Sequence, residues 1–436
     1  MYSTGADLRE ARVTMDTQPE YVQVGLRKVA TEQGFTEGKY RIEFESGSNK
    51  GDGFMGTMSK VFIRQEDRKE LVLLVKDMPE NLARRQQSIV MFDREAVAYS
   101  SVIPALEKFQ SDKGISVDEG GEGFMRVPRC YYTHSNMEKL EAVVIMEDLR
   151  EKHFRMWNKY VPVDYEHTRM LLEQLGKLHA ISFAMREQQP ERFFAFKRLI
   201  DPMKIMIEMD PDKGIDKLFG DVYQRAIVTL DDAKDAKVKE LMKKLEDKVT
   251  KHYVDCVTVD DSDPYAVIGH GDCWINNMMY MYEEESPVPV DIRLIDWQLC
   301  RYVSPILDLS YFIFICTDAK LRAQHYNQLL DIYYSSLCDY LERLGGDAKR
   351  QFPREAYEAQ WKKYGRFGLI MGMLVVPMIC TAAEDLPDMD KWIEKMKQGD
   401  EDVEFEYATE EKAAKLYRAR MSGVIRDVAR FVYLTD

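Results

Sequence analysis

Between residues 40 and 76, apolar residues fall in short runs bounded by polar and glycine-rich stretches, which predicts strands at 40–45, 57–64 and 69–76. The first two are joined by Ser46-Gly47-Ser48-Asn49-Lys50-Gly51-Asp52-Gly53-Phe54-Met55-Gly56 and the last two by the charged turn 65–68, so the segment reads as a β-meander with a glycine-rich first connection. Ahead of it, residues 1–20 read as a polar leader and 21–30 as a short helix ended near Gly34. Apolar residues at 92, 96, 97, 99, 102, 103 and 106 predict a helix over 92–109, with Pro104 late in it. An acidic, glycine-rich loop at 114–123 precedes two more strands, 129–133 and 142–146.

After residue 149 the period lengthens to that of helices. Asp164 is placed to cap a helix over 164–185 with an apolar stripe at Leu171, Leu172, Leu175, Leu178 and Ile181. A charged amphipathic helix is predicted at 237–253, and Asp263-Pro264 marks a break. Two strands joined by the loop 283–289 follow, and from Asp308 onward the chain is mostly helical, with an acidic stretch at 384–411 and a last helix from 412 to about 433. The pattern predicts an α+β protein with three segments: 1–34, a leader and short helix; 35–149, a small lobe of antiparallel sheet plus helix; and 150–436, a larger, mostly helical lobe. The chain shows no internal repeats.

At 436 residues, 45% hydrophobic and 31% charged, the chain has the composition of a globular protein with room for a large core. A net charge of −14 argues against nucleic acid or an anionic membrane as the main partner. Seven scattered cysteines without a CxxC pair fit reduced thiols, a cytoplasmic setting and no zinc site. The longest apolar run, 367–383, is short for a membrane span and contains Pro377, so it is expected to be a buried, kinked core helix.

The chemistry concentrates in His270-Gly271-Asp272-Cys273-Trp274-Ile275-Asn276-Asn277 and, after the next strand, Ile295-Asp296-Trp297. Two carboxylates and a carboxamide in this order suit phosphoryl transfer, which needs a base for the attacking hydroxyl and oxygen ligands for magnesium on the nucleotide phosphates. By itself the string also fits an ordinary turn, because Asp and Asn tolerate turn geometry. Upstream, Lys76 ends the strand Leu71-Val72-Leu73-Leu74-Val75 and is placed to reach phosphates, with Glu95 in the following helix as its partner. The glycines around Gly53 would let backbone N–H groups approach an anion, although the segment matches neither GxGxxG nor a Walker loop. Met146-Glu147-Asp148-Leu149 stands where the two lobes would join and offers its backbone to adenine. His179 is expected to pack, His270 to brace the loop, and Asp308 to serve structure, as a helix cap or a tie to the loop.

Taken in order, Gly51-Asp52-Gly53-Phe54, Val75-Lys76, Phe92-Asp93-Arg94-Glu95, Met146-Glu147-Asp148-Leu149, Leu178-His179-Ala180, the 270–277 string, Arg293-Leu294-Ile295-Asp296-Trp297-Gln298 and Ser304-Pro305-Ile306-Leu307-Asp308-Leu309 resemble the ecdysteroid-kinase-like (CHK kinase-like) family. That family lies within the aminoglycoside phosphotransferase and choline kinase group of protein-kinase-like folds. The resemblance covers roughly 35–433. It implies a bilobal protein-kinase-like fold and an ATP-dependent kinase acting on a small-molecule hydroxyl. Carried over, Asp272 is the catalytic base, and Asn277 and Asp296 are the Mg2+ ligands. Lys76 contacts phosphates with Glu95 as partner, and Glu147, Asp148 and Leu149 form the nucleotide hinge. Asp296 is followed by Trp-Gln rather than Phe-Gly, and no Ala-Pro-Glu segment follows, which speaks against peptide substrates.

The expected acceptor is a lipophilic alcohol such as an ecdysteroid or hydroxylated xenobiotic, because Met- and aromatic-rich segments at 203–209 and 367–378 offer an apolar pocket or, equally, plain core. A choline- or aminoglycoside-type kinase with a cationic acceptor is the alternative within enzymes. A nucleotide-binding pseudokinase scaffold is the alternative outside them. Nothing in the pattern sets an oligomeric state.

Overall fold

The computed structural model describes residues 14–47, 56–118, 120–124, 126–210, 213–284, 286–382 and 411–433. The first part of the predicted leader, the glycine-rich connection around Gly53 and the acidic stretch 384–410 lie outside them. Two compact units are present: Met1–Ala96 with Pro128–Glu151, and Val97–Val127 with Lys152–Asp436.

The first unit opens with helix α1 (Glu20–Glu32) and continues through β1 (Arg41–Ser46), β2 (Thr57–Arg64), β3 (Leu71–Asp77), helix α2 (Leu82–Val97), β4 (Cys130–Asn136) and β5 (Glu141–Glu147). The strands form one antiparallel sheet in the order β1-β2-β3-β5-β4. Val22, Leu26 and Val29 of α1 are buried against Val61 and Ile63, Leu73 and Val75, and Val143 and Ile145. Gly25 permits this approach, since a Cβ there would come within 2.6 Å of the Tyr132 ring. The two-residue alternation puts Leu73, Val75 and Asp77 on the α1 side of β3 and Lys76 on the opposite face.

Helix α2 starts ten residues earlier than the apolar pattern predicts. Asn81 accepts the backbone N–H groups of Ala83 and Arg84, at 2.9 and 3.2 Å, and so satisfies the first turn. The helical path then runs through a wide turn, Ala98–Val102, into α3 (Ile103–Asp112). Pro104 sits in the first turn of α3, where its missing N–H is harmless. Residues 97–127 belong by their contacts to the second unit: Gln110 accepts the Tyr340 hydroxyl at 2.6 Å and the Phe124 N–H at 2.7 Å.

The second unit contains β6 (Arg155–Met156), α4 (Tyr165–Gln188), α5 (Pro190–Phe194), α6 (Pro202–Glu208), α7 (Gly214–Ile227), α8 (Ala236–Lys243) and α9 (Val249–Val257). It continues with β7 (Val267–Gly269), β8 (Met278–Tyr282), β9 (Pro289–Leu294), β10 (Arg301–Val303) and α10 (Ile306–Cys316). It closes with α11 (Ala319–Arg343), α12 (Ala348–Gln351), α13 (Arg354–Tyr364), α14 (Phe367–Cys380) and α15 (Glu411–Val428). Asp164 caps α4 as predicted, accepting the His167 N–H at 3.0 Å. The helix predicted at 237–253 is instead two, α8 and α9, because Asp247 takes a left-handed backbone (φ 57°) between them. Helices α5, α6 and α7 were not anticipated.

Every residue of α10 is buried, and α14 is nearly so, with Pro377 inside it; both are core. The 50° bend nearby falls at the break between α13 and α14. Among the described residues no single helix is long and apolar enough to cross a membrane.

Under α1, Asp77 accepts the Tyr21 hydroxyl at 2.6 Å and the Met78 N–H at 2.7 Å, both through Oδ1. Burial raises its pKa to about 6, against the lowering effect of those bonds. The folded state therefore binds a proton more readily than the unfolded chain. This contribution to stability is full below about pH 4 and is lost as pH rises through about 6. Asp77→Asn keeps an acceptor oxygen for both donors and removes the titration. Its stability relative to the parent, read from urea midpoints, should rise by up to about 3 kcal/mol between pH 4 and 7. A difference flat across that window would show that Asp77 titrates as an ordinary carboxylate.

Candidate active site

In the first unit, the Lys76 ammonium lies 2.7 Å from Glu95 Oε2, and both side chains are almost fully buried. Strand β3 aims the lysine and α2 supplies the carboxylate. The ring of Phe92, one helical turn before Glu95, lies 5.6 Å from the ammonium. A lysine held this way has a fixed direction.

The 147–149 segment ends β5. The N–H of Glu147 donates to the Arg129 carbonyl at 2.9 Å, and its Oε1 accepts the Arg129 N–H at 2.8 Å. Asp148 is buried and gripped by Arg150, which donates through Nε at 2.7 Å and Nη2 at 2.8 Å, with Lys60 3.7 Å away. Burial would raise its pKa, but the Arg150 bonds dominate and hold it low. Arg150 also donates to the carbonyl of Gly47, at the start of the glycine-rich connection, at 3.0 Å. Leu149 is buried and begins a short turn. Gly53 lies outside the described residues.

In the second unit, β7 delivers the 270–277 string. The chain turns sharply at Gly271 (φ 89°), where a Cβ would collide with the carbonyl oxygen of Leu299. Asp308, in the first turn of α10, accepts the N–H groups of His270 and Gly271 at 2.8 and 2.9 Å, and His179 Nε2 lies 3.3 Å from it. Burial alone would raise the Asp308 pKa. The His179 hydrogen bond and the Arg301 charge outweigh it and bring it to about 2. The carboxylate is thus ionised in the core, and it ties back to the loop as well as sitting at the helix start.

His270 is buried, and burial lowers its pKa. Its Nδ1 accepts the Asp272 N–H at 3.2 Å, so the ring proton sits on Nε2, which donates to the Ile295 carbonyl at 3.0 Å. Ile295 N–H in turn donates to the Asn277 carbonyl at 3.0 Å, extending the β8–β9 ladder by one step. These bonds place Asp272, Asn277 and the residue before Asp296 in one network.

The Asp272 side chain is buried. Its Oδ1 accepts the Tyr311 hydroxyl at 2.8 Å and its Oδ2 the Asn277 amide at 2.8 Å. Burial, reinforced by the Asp296 charge, raises its pKa to about 6, while the two hydrogen bonds oppose the rise. Asp296 takes a left-handed backbone (φ 63°), and its Oδ2 accepts the Gln298 amide at 3.2 Å. Asn277 spends its amide nitrogen on Asp272, so its oxygen faces away from that carboxylate. Among the described residues no group of three or more His, Cys, Asp or Glu side chains surrounds a common point. Two protein oxygens, from Asn277 and Asp296, fit magnesium, which takes its remaining ligands from water and phosphate.

Three contributors escaped the sequence reading. Tyr311 lies on α10, every residue of which is buried. Arg301 is fully buried, forms an ion pair with Asp201 and donates to the Gly271 carbonyl at 2.9 Å. Asp201 also accepts the Tyr253 hydroxyl at 3.0 Å, so α6 and α9 are tied to the loop through one arginine. His179 does pack, as expected, but it also supports Asp308. The cysteines are all free, and burial raises the thiol pKa of Cys273, in keeping with an unreactive role.

An antiparallel sheet bearing an ion-paired lysine, with a helical unit bearing the Asp–Asn–Asp set, defines the protein-kinase-like, aminoglycoside phosphotransferase-type fold class. The chain belongs to the ecdysteroid kinase-like family, whose model matches residues 50–346. Over 59 residues it is 40% identical to a 4-hydroxytryptamine kinase of Psilocybe cyanescens, a match that spans 14% of this chain and 16% of that protein. Solved structures similar to it include a GDP complex of aminoglycoside 2'-phosphotransferase-IIIa (10% identity, 93% of this chain and 98% of that one, TM-score 0.40). Another is a macrolide 2'-phosphotransferase from Brachybacterium faecium (13% identity, 91% and 97%, TM-score 0.36).

Removing Asp308 should strand two backbone N–H groups at a strained turn. Asp308→Ala is expected to cost about 3–5 kcal/mol in urea unfolding, and Asp308→Asn less, since it keeps one acceptor oxygen. Equal, small losses for both would show that the loop is held by other contacts.

Proposed function

We propose that this protein is an ATP-dependent kinase that transfers the γ-phosphate to a hydroxyl of a small molecule. The observation that carries the reading is the Asp272 carboxylate: buried, held at both oxygens by Tyr311 and Asn277, and raised in pKa to about 6. A base should lie near the working pH and point in one direction, and this one meets both conditions. Family membership supports the same reaction class.

In this reading Asp272 accepts the proton of the attacking hydroxyl. Lys76, held by Glu95, presents its charge to the nucleotide phosphates, and the 147–149 backbone receives the adenine. Asn277 and Asp296 would hold magnesium, which would supply positive charge against the nucleotide phosphates. Phosphoryl transfer asks mostly for positioning and electrostatics, so these few groups suffice.

For the acceptor we propose a lipophilic alcohol such as an ecdysteroid or hydroxylated xenobiotic. The partial likeness to a 4-hydroxytryptamine kinase favours a second reading, a hydroxylated aromatic amine, in which the acceptor is cationic. Either suits a chain of net charge −14 better than an anionic acceptor does.

The test is ATP turnover against a panel of ecdysteroids, hydroxylated xenobiotics, 4-hydroxytryptamine, glycosides, choline and aminoglycosides. With the preferred acceptor, Asp272→Asn should lower kcat by about 10²–10⁴-fold with nucleotide affinity little changed. No turnover with any alcohol, and no effect of Asp272→Asn on cellular function, would make the protein a nucleotide-binding scaffold instead. Tyr311→Phe removes one of two bonds to the base and should lower kcat by roughly tenfold while leaving acceptor and nucleotide binding intact. An unchanged kcat would leave Tyr311 a packing residue only.

A further inference from the structure

Two residues beyond Asp296, Gln298 is 8% exposed, and its amide nitrogen donates to Asp296 Oδ2 at 3.2 Å. A carboxylate only accepts hydrogen bonds, so the carboxamide must present its nitrogen to Asp296 and turn its oxygen away. That oxygen, Oε1, is buried and has no hydrogen-bond partner among the described residues. A buried acceptor left unmatched is costly, because it has given up its hydrogen bonds to water. Among the described residues no donor answers that oxygen, which leaves it open to a hydrogen bond from a bound group.

The neighbours of Gln298 narrow the choice of that partner. Trp297 is fully buried and anchored by its Nε1–H on the Leu294 carbonyl at 3.2 Å, so the segment is fixed on one side of Gln298. Asp296 is fixed on the other by its left-handed backbone. The amide therefore has little freedom to turn Oε1 toward another protein donor. Magnesium keeps several of its waters, and a water on a dication is a strong hydrogen-bond donor.

We propose that Gln298 is a positioning residue for the metal–nucleotide: it orients Asp296 through its NH2 group and accepts a hydrogen bond from the cation's hydration shell through Oε1. The inference rests on the reading of Asp296 as a magnesium ligand. It adds an outer-shell residue that reports cation occupancy to the 296–298 segment.

The probe is Mn2+, titrated by the paramagnetic resonance signal of the free ion into full-length protein saturated with a non-hydrolysable ATP analogue. Gln298→Leu should weaken Mn2+ binding by about 10-fold or more, within the range found for outer-shell partners. Metal-free binding of the analogue should stay unchanged. Gln298→Glu keeps an acceptor but sets a second carboxylate against Asp296. Its melting temperature should be lower than the parent's without Mn2+ and should rise further on adding it.

A Gln298→Leu protein that binds Mn2+ within twofold of the parent overturns the proposal. So does a Gln298→Glu protein whose metal-induced rise is no larger than the parent's, and this second result decides if the leucine variant does not fold. A Gln298→Leu effect confined to the KM of the acceptor also overturns it, by assigning Oε1 to the acceptor hydroxyl. Asp296→Asn separates the two layers. If Asp296→Asn leaves Mn2+ affinity unchanged, the magnesium-ligand reading itself fails. If Asp296→Asn abolishes binding while Gln298→Leu does not alter it, only the present inference fails.

Discussion

The carboxylate of Asp308 is buried and ionised, and the candidate active loop is built around it. A negative charge in the first turn of α10 is favoured by the helix dipole, and here it is also the acceptor for two successive N–H groups of the loop. Those N–H groups converge on one carboxylate because Gly271 takes a positive φ, and Gly269 leaves room for it: a Cβ there would stand 2.8 Å from Asp308 Oδ2. Charge, turn and helix start are thus mutually dependent. A buried carboxylate is expensive when unpaired, so any path that opens the loop must first strip Asp308 of its donors. His179, from α4, adds a further ring nitrogen at 3.3 Å and fixes the carboxylate against a second helix.

From that anchor the order of the site follows by short steps. His270 leaves Asp308 through its backbone and meets Asp272 and Ile295 through its ring. The tautomer those two bonds require is the neutral one, which agrees with the direction in which burial moves its pKa. The same histidine thereby couples the loop to the end of β9, one residue before Asp296. Arg301 holds the Gly271 carbonyl from the other side and is itself held by Asp201, which also accepts the Tyr253 hydroxyl. Asp272 is therefore positioned largely through the backbone and side-chain bonds of its neighbours.

How much of this could be read from the chain depended on how far apart the partners lie in sequence. Asp272 and Asn277 share one loop, so their spacing suggests the pair, and Lys76 stands out as the polar residue that ends an apolar strand. The 92–109 prediction missed the start of α2 because residues 84–88 carry no apolar side chain; the cap at Asn81 was the available signal. The helix at 237–253 was read through Asp247, since a charged amphipathic pattern does not register a single left-handed residue. Tyr311, Arg301 and Asp201 were invisible for a different reason. Each acts over 29 or more residues along the chain, and in a fully buried helix such as α10 no periodicity marks the one side chain whose hydroxyl has work at the site.

The Trp-Gln pair after Asp296 illustrates how a local departure can be structural and chemical at once. A left-handed non-glycine residue costs roughly 1–2 kcal/mol, and something must over-determine it. Trp297 does so by filling a fully buried site, with its N–H on Leu294 and its ring edge-on to His270 at 4.7 Å between centroids. A phenylalanine would fill much of the same space but has no donor for the Leu294 carbonyl. With Trp297 immobile, Asp296 is aimed by backbone geometry, and Gln298 adds a hydrogen bond that a glycine at that position cannot make. The segment is thus held in one conformation by packing and polar contacts. A side chain held this way has little conformational freedom left to lose on meeting a ligand, so more of any interaction energy would appear as affinity.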